Sequence, residues 1–188
     1  MPQDTGKPQK RRCVLVALAG QTPAIVTETL WALEQQQAVQ IDEIRAITTN
    51  RGSAALVREL LGDNGKFKSY CRDYDVAPGR IAFSEKNIHV LLDAQGSPLE
   101  DIRSSHDNRA AADQIYAFIK RWAARQDEIL FCSAAGGRKT LGIYLAMAIM
   151  LCGRAEDRLL HVLVAVQFES GVREFFYPPC AEKHYQCF

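Results

Sequence analysis

The segment Ser133-Ala134-Ala135-Gly136-Gly137-Arg138-Lys139-Thr140 gathers the groups that hold a phosphate. It leaves a short apolar run and enters a long apolar stretch, so it reads as a strand-to-helix loop. Two adjacent glycines permit unusual dihedrals and a close approach of the backbone to a ligand. The unpaired N–H groups at a helix start attract anions, and Arg138 and Lys139 add charge-assisted donors. The plain alternative is a turn carrying two solvated cations. A Walker A loop needs the pattern G-x-x-x-x-G-K-[ST]. Here Ser133 stands where its first glycine belongs and Arg138 where the glycine before lysine belongs, and both crowd the backbone cradle. No strand ends in a carboxylate suited to magnesium, so the pattern argues against an NTPase.

Three further polar stretches carry weaker signals. Gly20-Gln21-Thr22-Pro23 offers backbone donors and a hydroxyl at a helix start, where Thr22 is equally well an N-cap or a ligand contact. Thr48-Thr49-Asn50 ends a strand and is as ambiguous. Asp101-Ile102-Arg103-Ser104-Ser105-His106-Asp107-Asn108 is denser in polar groups than a spacer needs, yet Asp107 can cap the next helix and Arg103 can pair with Asp101. His106 is a conceivable acid or base, though a loop histidine is more often solvated. His89 and His161 fall in strands and read as structural.

The elements that position these loops follow from periodicity. Cys13 to Ala19 is a continuous apolar run, the pattern of a strand buried on both faces. Pro23 suits the first turn of a helix, and Val26, Leu30 and Leu33 repeat at helical spacing to about Gln37. A strand is expected over Ile44 to Thr49, a turn at Asn50 to Ser53, and a helix through Val57, Leu60 and Leu61. Phe67 to Tyr74 reads as a short helix and Ile88 to Leu92 as a strand. A polar loop from Glu100 to Asn108 precedes a helix with the stripe Ile115, Phe118, Ile119 and Trp122. A strand over Glu128 to Cys132, a helix over Gly137 to Cys152, a strand over Leu159 to Val166 and a last strand over Val172 to Phe176 complete the order. Alternation of strands and helices predicts an α/β, Rossmann-like, mostly parallel sheet with helices on both faces. Such sheets bind ligands at the carboxyl ends of their strands. That rule brings together Gly20 to Thr22, Thr48 to Ser53 and Ser133 to Thr140.

Composition narrows the function classes. The 188 residues fit one domain, and a chain of that length buries about 70% of its unfolded surface without staples. The formal net charge is +1, so there is no overall basic field for long nucleic acid, and an anion site must be a local cluster. The six cysteines form no C-x-x-C pair, and three lie in apolar runs, which points to a reducing cytoplasm without a disulfide framework. Cys180, His184 and Cys187 are ligand-type residues, but only three, in a tail; no metal site is expected. No run reaches the ~18 apolar residues of a membrane span. Residues 1–11 read as a disordered basic arm, 12–177 as the domain and 178–188 as a tail.

On these loops the chain resembles the CARF-domain group of type III CRISPR-associated ring nucleases and the sensor halves of related ribonucleases. Val16 to Leu30 looks like that family's first strand, loop and helix. Phe83 to Val90, Asp101-Ile102-Arg103 and Asp107-Asn108 look like its middle section. Ser133 to Thr140, with Gly153-Arg154 and Asp157 to Val164, looks like its signature end. The resemblance implies a homodimer facing one cyclic oligoadenylate, with cyclic tetra-adenylate expected, across a two-fold axis. It implies cleavage without metal or cofactor, by 2′-OH attack, to linear products with 2′,3′-cyclic phosphate ends. Lys139, Arg138 and Thr22 would be the catalytic residues. Gly20, Gln21, Asn50, Arg103, Asn108, Ser133, Gly136, Gly137 and Thr140 would complete the ligand contacts. No general base is evident, so a modest rate is expected. Relatives often add a helical nuclease domain with an R-x4–6-H motif. Arg154 to His161 matches it by count but runs from a helix end into a strand, so the match reads as chance. Without an effector domain, the chain is expected to switch the signal off or, alternatively, to sense it without catalysis through a partner effector.

Overall fold

The computed structural model describes residues 10–163 and 175–179. Among the described residues five strands form one sheet: β1 (Arg12–Leu18), β2 (Glu43–Thr48), β3 (Ile88–Val90), β4 (Glu128–Ser133) and β5 (Arg158–Leu160). Their order is β3-β2-β1-β4-β5, and every pair is parallel. The α/β, Rossmann-like fold expected of the sequence is therefore the fold observed.

β1 lies at the centre, and its alternation feeds two cores. Leu15 and Ala17 face one layer, which holds α1 (Ala24–Trp31), α2 (Asn50–Leu56) and α3 (Lys66–Asp73). Val14, Val16 and Leu18 face the other, which holds α4 (Ser105–Ala123) and α5 (Lys139–Cys152). Burial on both faces is why the strand needs no polar residue between Val14 and Ala19. α1 and α2 each run on into a wider π-type turn, at Ala32–Gln36 and Val57–Leu61. The segment 175–179 packs on the first layer, where the Thr27 hydroxyl donates to the Phe176 carbonyl at 2.6 Å.

Several boundaries differ from the sequence reading. Asn50 to Ser53 is the first turn of α2 rather than a free turn, with Ser53 N–H donating to Thr49 O at 2.8 Å. Gly52 is there for space: a Cβ would lie 2.0 Å from the Thr48 Oγ1 beneath it. The polar loop after Glu100 ends earlier than expected, because Ser104 and Asp107 form a reciprocal capping box that starts α4 at Ser105. The cap read onto Asp107 alone is shared with Ser104. α5 starts at Lys139, two residues after the predicted Gly137. The strand expected over Leu159 to Val166 is paired at Arg158–Leu160. Residues 164–166, positions 172–174 of the expected last strand, most of the basic arm, and Cys180, His184 and Cys187 lie outside the described residues.

The amino end of the sheet is closed by an ion cluster. Arg45, buried on β2, donates to both oxygens of the buried Glu128 carboxylate at 2.8 and 2.9 Å and to Glu43 at 2.7 and 3.0 Å. Its guanidinium lies 3.5 Å from the Trp122 ring centre. Removing one partner of such a buried pair strands the other charge. Arg45→Ala, which takes the shared guanidinium from Glu43 and from the buried Glu128, should therefore lower stability by about 3–5 kcal/mol in urea unfolding; a loss under about 1 kcal/mol, the range of exposed pairs, would show that solvent reaches the cluster.

Candidate functional site

The strand order decides which loops matter. Crossovers run outward in one direction from β1 through β2 to β3 and in the other through β4 to β5. The loops after β1 and β4 therefore flank the point where the winding reverses, the usual ligand crevice of an open parallel sheet.

Those two loops touch through their backbones. A Cβ on Gly136 would fall 2.1 Å from the Leu18 carbonyl oxygen, so only glycine fits there. Gly137 takes the left-handed conformation at φ 74°, which bends the chain into α5. Its Cα lies 3.2 Å from where a Cβ of Gly20 would stand. Among the described residues, no hydrogen bond occupies the backbone N–H groups of Gly20, Gln21, Gly136 or Gly137. Free amides gathered at a helix start make an anion cradle.

Two cavities open on either side of this contact and share Gly20, Gln21 and Gly137. One, of about 210 Å³, adds Thr49, Asp101 and Arg138. The other, of about 360 Å³, adds Thr22, Ile25, Glu28, Gly136 and Leu163. Arg138 donates to both oxygens of Asp101 at 3.1 and 2.5 Å, and Arg103 stands 3.8 Å from the same carboxylate. The Arg138 hydrogen bond holds the Asp101 carboxyl below its ordinary range. One carboxylate between two guanidiniums leaves a net positive charge. Lys139 and Thr140, the first residues of α5, are exposed, and Lys139 has no partner among the described residues. Thr22 is exposed as well; the N-cap of α1 is Pro23, without a side-chain cap, so the Thr22 hydroxyl is not spent on the helix.

Three of the expected ligand contacts are committed elsewhere. Ser133 is fully buried, and its hydroxyl shares a hydrogen bond with Thr29 at 3.2 Å, so it braces the loop from below. Asn108 donates from its side-chain amide to the Tyr144 hydroxyl at 2.5 Å between α4 and α5, while its buried Oδ1 meets no partner among the described residues. Asn50 opens α2 with its amide side chain on Glu100 and its N–H on Leu99 O at 2.8 Å. Arg154 binds Asp157 at 2.9–3.0 Å and two backbone carbonyls, which makes the R-x6-H match a structural brace.

Glu28 went unread in the sequence. It lies on α1, 8% exposed, lining the larger of the two cavities. No hydrogen bond or ion pair reaches it among the described residues, and burial pushes its carboxyl up to about 7. The available signal was a lone acid in the apolar stretch Ala24 to Trp31. Asp101 was read only as a partner of Arg103; its bridge to Arg138, across 37 positions, had no local signal.

Two other cavities are larger than the 360 Å³ one. One of about 630 Å³ beside α3 has an apolar floor of Phe67, Val76 and Ile81, with Lys68 and Arg72 at its solvent edge. In the other, about 440 Å³ between β3 and α4, Glu43 and Arg45 satisfy each other and Gln114 is tied to the backbone of Leu92. Among the described residues no group of three or more His, Cys, Asp or Glu is arranged to hold a metal ion.

The family model of CRISPR-associated protein NE0113 matches residues 22–187. Among solved structures, Enterococcus italicus Csm6 bound to cyclic hexa-2′-fluoro-hexa-dAMP is similar at 11% identity and a TM-score of 0.47, over 81% of this chain and 33% of that one. This chain thus spans about a third of the length of that Csm6 chain. No curated protein sequence matches.

Glu28 makes stability depend on pH. A carboxyl raised from 4.5 to about 7 on folding favours the native state at acid pH, and that contribution is lost as pH climbs through 7. Wild-type protein should lose up to about 3 kcal/mol between pH 4.5 and 8 relative to Glu28→Gln. Urea unfolding across that range checks it, and parallel stability curves for the two proteins would refute the assignment.

Proposed function

Because the chain belongs to the CRISPR-associated protein NE0113 family, we propose that it binds a cyclic oligoadenylate, cyclic tetra-adenylate first, and cleaves it to end type III CRISPR signalling in the cytoplasm. The observation that carries this reading is the pair of glycine loops with free amides at the sheet's winding reversal, flanked by Lys139 and the Arg103–Asp101–Arg138 cluster. A phosphate diester is the ligand such a cradle fits: it is anionic, accepts N–H bonds and needs no metal. Neither cavity encloses a ring of four or more nucleotides, since single drug-sized ligands already fill about 300–1,000 Å³. Two copies of the chain sharing one ring satisfy that size.

The residues divide the chemistry among themselves. The amides of Gly136 and Gly137 hold the non-bridging phosphate oxygens, and Lys139 and Arg138 neutralise the charge that grows on them. Thr22 orients the ribose so that its 2′-oxygen lies in line with the scissile bond. That oxygen attacks the adjacent phosphorus, the P–O5′ bond breaks, and a 2′,3′-cyclic phosphate and a 5′-hydroxyl result. Glu28 accepts the proton leaving the 2′-OH when ionised, and a carboxyl near neutrality can return it to the departing 5′-oxygen. Glu28 thus supplies the acid–base group absent from the sequence reading. At neutral pH half of it is uncharged, which limits its repulsion of the phosphates.

Incubation with cyclic tetra- and hexa-adenylate in EDTA should yield linear products ending in 2′,3′-cyclic phosphate. Lys139→Ala should weaken binding about 10–100-fold, the value of one charged hydrogen bond. Glu28→Gln should slow cleavage about 100-fold or more while binding persists. Tight binding without conversion in wild type would leave a sensor in place of an enzyme, and no binding of either ring would overturn the proposal.

A further inference from the structure

The cavity between β3 and α4 shares no lining residue with the two at the glycine loops. β3 is an edge strand, and its three residues are only half-buried. His89 is in register with Ile47, which packs in the α4 core, so the imidazole stands on the face that α4 covers. The space left there, about 440 Å³, is the size of a small-ligand pocket. Its polar groups fall into two sets. Glu43 and Arg45 pair with each other, Asn87 donates to Glu43 at 3.1 Å, and Gln114 is bound to the backbone of Leu92, so these are already answered within the protein. Lys86, His89 and Arg121 meet no hydrogen-bond or ion-pair partner among the described residues. Since Glu43 and Arg45 cancel, Lys86 and Arg121 leave the lining with two unanswered positive charges. The wall is aromatic: Phe118 lies 5.2 Å from the His89 ring and 6.1 Å from Trp122, centre to centre, and the Arg121 guanidinium stands 5.2 Å from the Trp122 ring centre. Burial lowers the His89 pKa below its ordinary value, so at neutral pH the ring is uncharged and offers one donor and one acceptor.

We propose that this cavity is a second ligand site, which takes a single nucleotide with its base against Phe118 and Trp122, the base edge at His89, and its phosphate between Lys86 and Arg121. Charge, wall and hydrogen bonding each point to that class. A phosphomonoester carries about −1.5 to −2 at pH 7, which matches the two free cations. A carboxylate would leave one of them unanswered. Aromatic side chains stack with any base, because every base has a π-face. A base edge carries donors and acceptors together, as a neutral imidazole does, and a plain aromatic acid has no such edge. The site lies apart from the glycine loops and does not depend on the ring reading.

Calorimetric titration of the full chain with 5′-AMP in EDTA tests it. Binding should saturate. Ribose 5-phosphate, which lacks the base, and adenosine, which lacks the phosphate, should each bind about tenfold more weakly or worse. The Lys86 and Arg121 side chains are exposed, so their loss leaves the core intact. Lys86→Ala and Arg121→Ala should each weaken AMP about tenfold, the lower end for a hydrogen bond to a charged group, with an unchanged circular dichroism spectrum. Lys139→Ala, at the glycine loops, should bind AMP as the wild type does. The imidazole NMR signal of His89, identified by its loss in His89→Gln, should shift as AMP is added. No binding of AMP up to about 1 mM, a weak standard affinity, would overturn the proposal. So would adenosine or ribose 5-phosphate binding as tightly as AMP, or a His89 signal that does not move. An affinity that falls with Lys139→Ala but not with Lys86→Ala or Arg121→Ala would also overturn it, by placing AMP at the glycine loops.

Discussion

The Leu18 carbonyl at the end of the central strand lies so close to Gly136 that no side chain fits between them. The rest of the site depends on that approach. It draws the loop after β4 onto the loop after β1, and Gly137 then turns the chain into α5 through a backbone angle that glycine adopts without strain. The result is a cluster of N–H groups at the end of the sheet that meets no acceptor among the described residues. Any larger residue at position 136 would separate the loops and scatter those donors. β1 can hold this position because both its faces are packed and its ends are fixed by neighbours on either side.

The two ends of the sheet treat charge in opposite ways. At the amino end, Arg45 is enclosed by two carboxylates and an aromatic ring, and its hydrogen bonds are answered within the protein. At the carboxyl end, the charges stand in solvent and are answered incompletely: Asp101 meets two guanidiniums, and Lys139 meets none of the described residues. The first arrangement holds a fold together. The second holds a surplus of positive potential over a small area, on a chain whose total charge is only +1. Glu28 belongs to the same logic, since burial keeps its carboxyl partly neutral beside a place where anions are expected.

Much of this was legible from residue order. Cys13 to Ala19 as a doubly buried strand, the alternation that makes a parallel sheet, and Ser133 to Thr140 as a glycine-containing loop between a strand and a helix all follow from local pattern. The strand order was not legible, because it depends on which strands pair, and it is the order that makes β1 and β4 the flanks of the crevice. Side-chain direction was also out of reach. Ser133 looked like a ligand contact by position, but the last residue of a buried strand points into the core, where Thr29 meets it. The side-chain amides of Asn108 and Asn50 donate to Tyr144 and to Glu100. Glu28 had a signal, an acid amid apolar helix residues, but its meaning came from the cavity it lines.

Under the proposed function, one cyclic oligoadenylate is seated by two copies of this cradle. Calorimetric titration of the full chain with cyclic tetra-adenylate in EDTA, with Glu28→Gln to suppress turnover, reads it directly. One ring should bind per two chains. One ring for every chain, or no heat of binding from this ring or the hexa-adenylate, would contradict it.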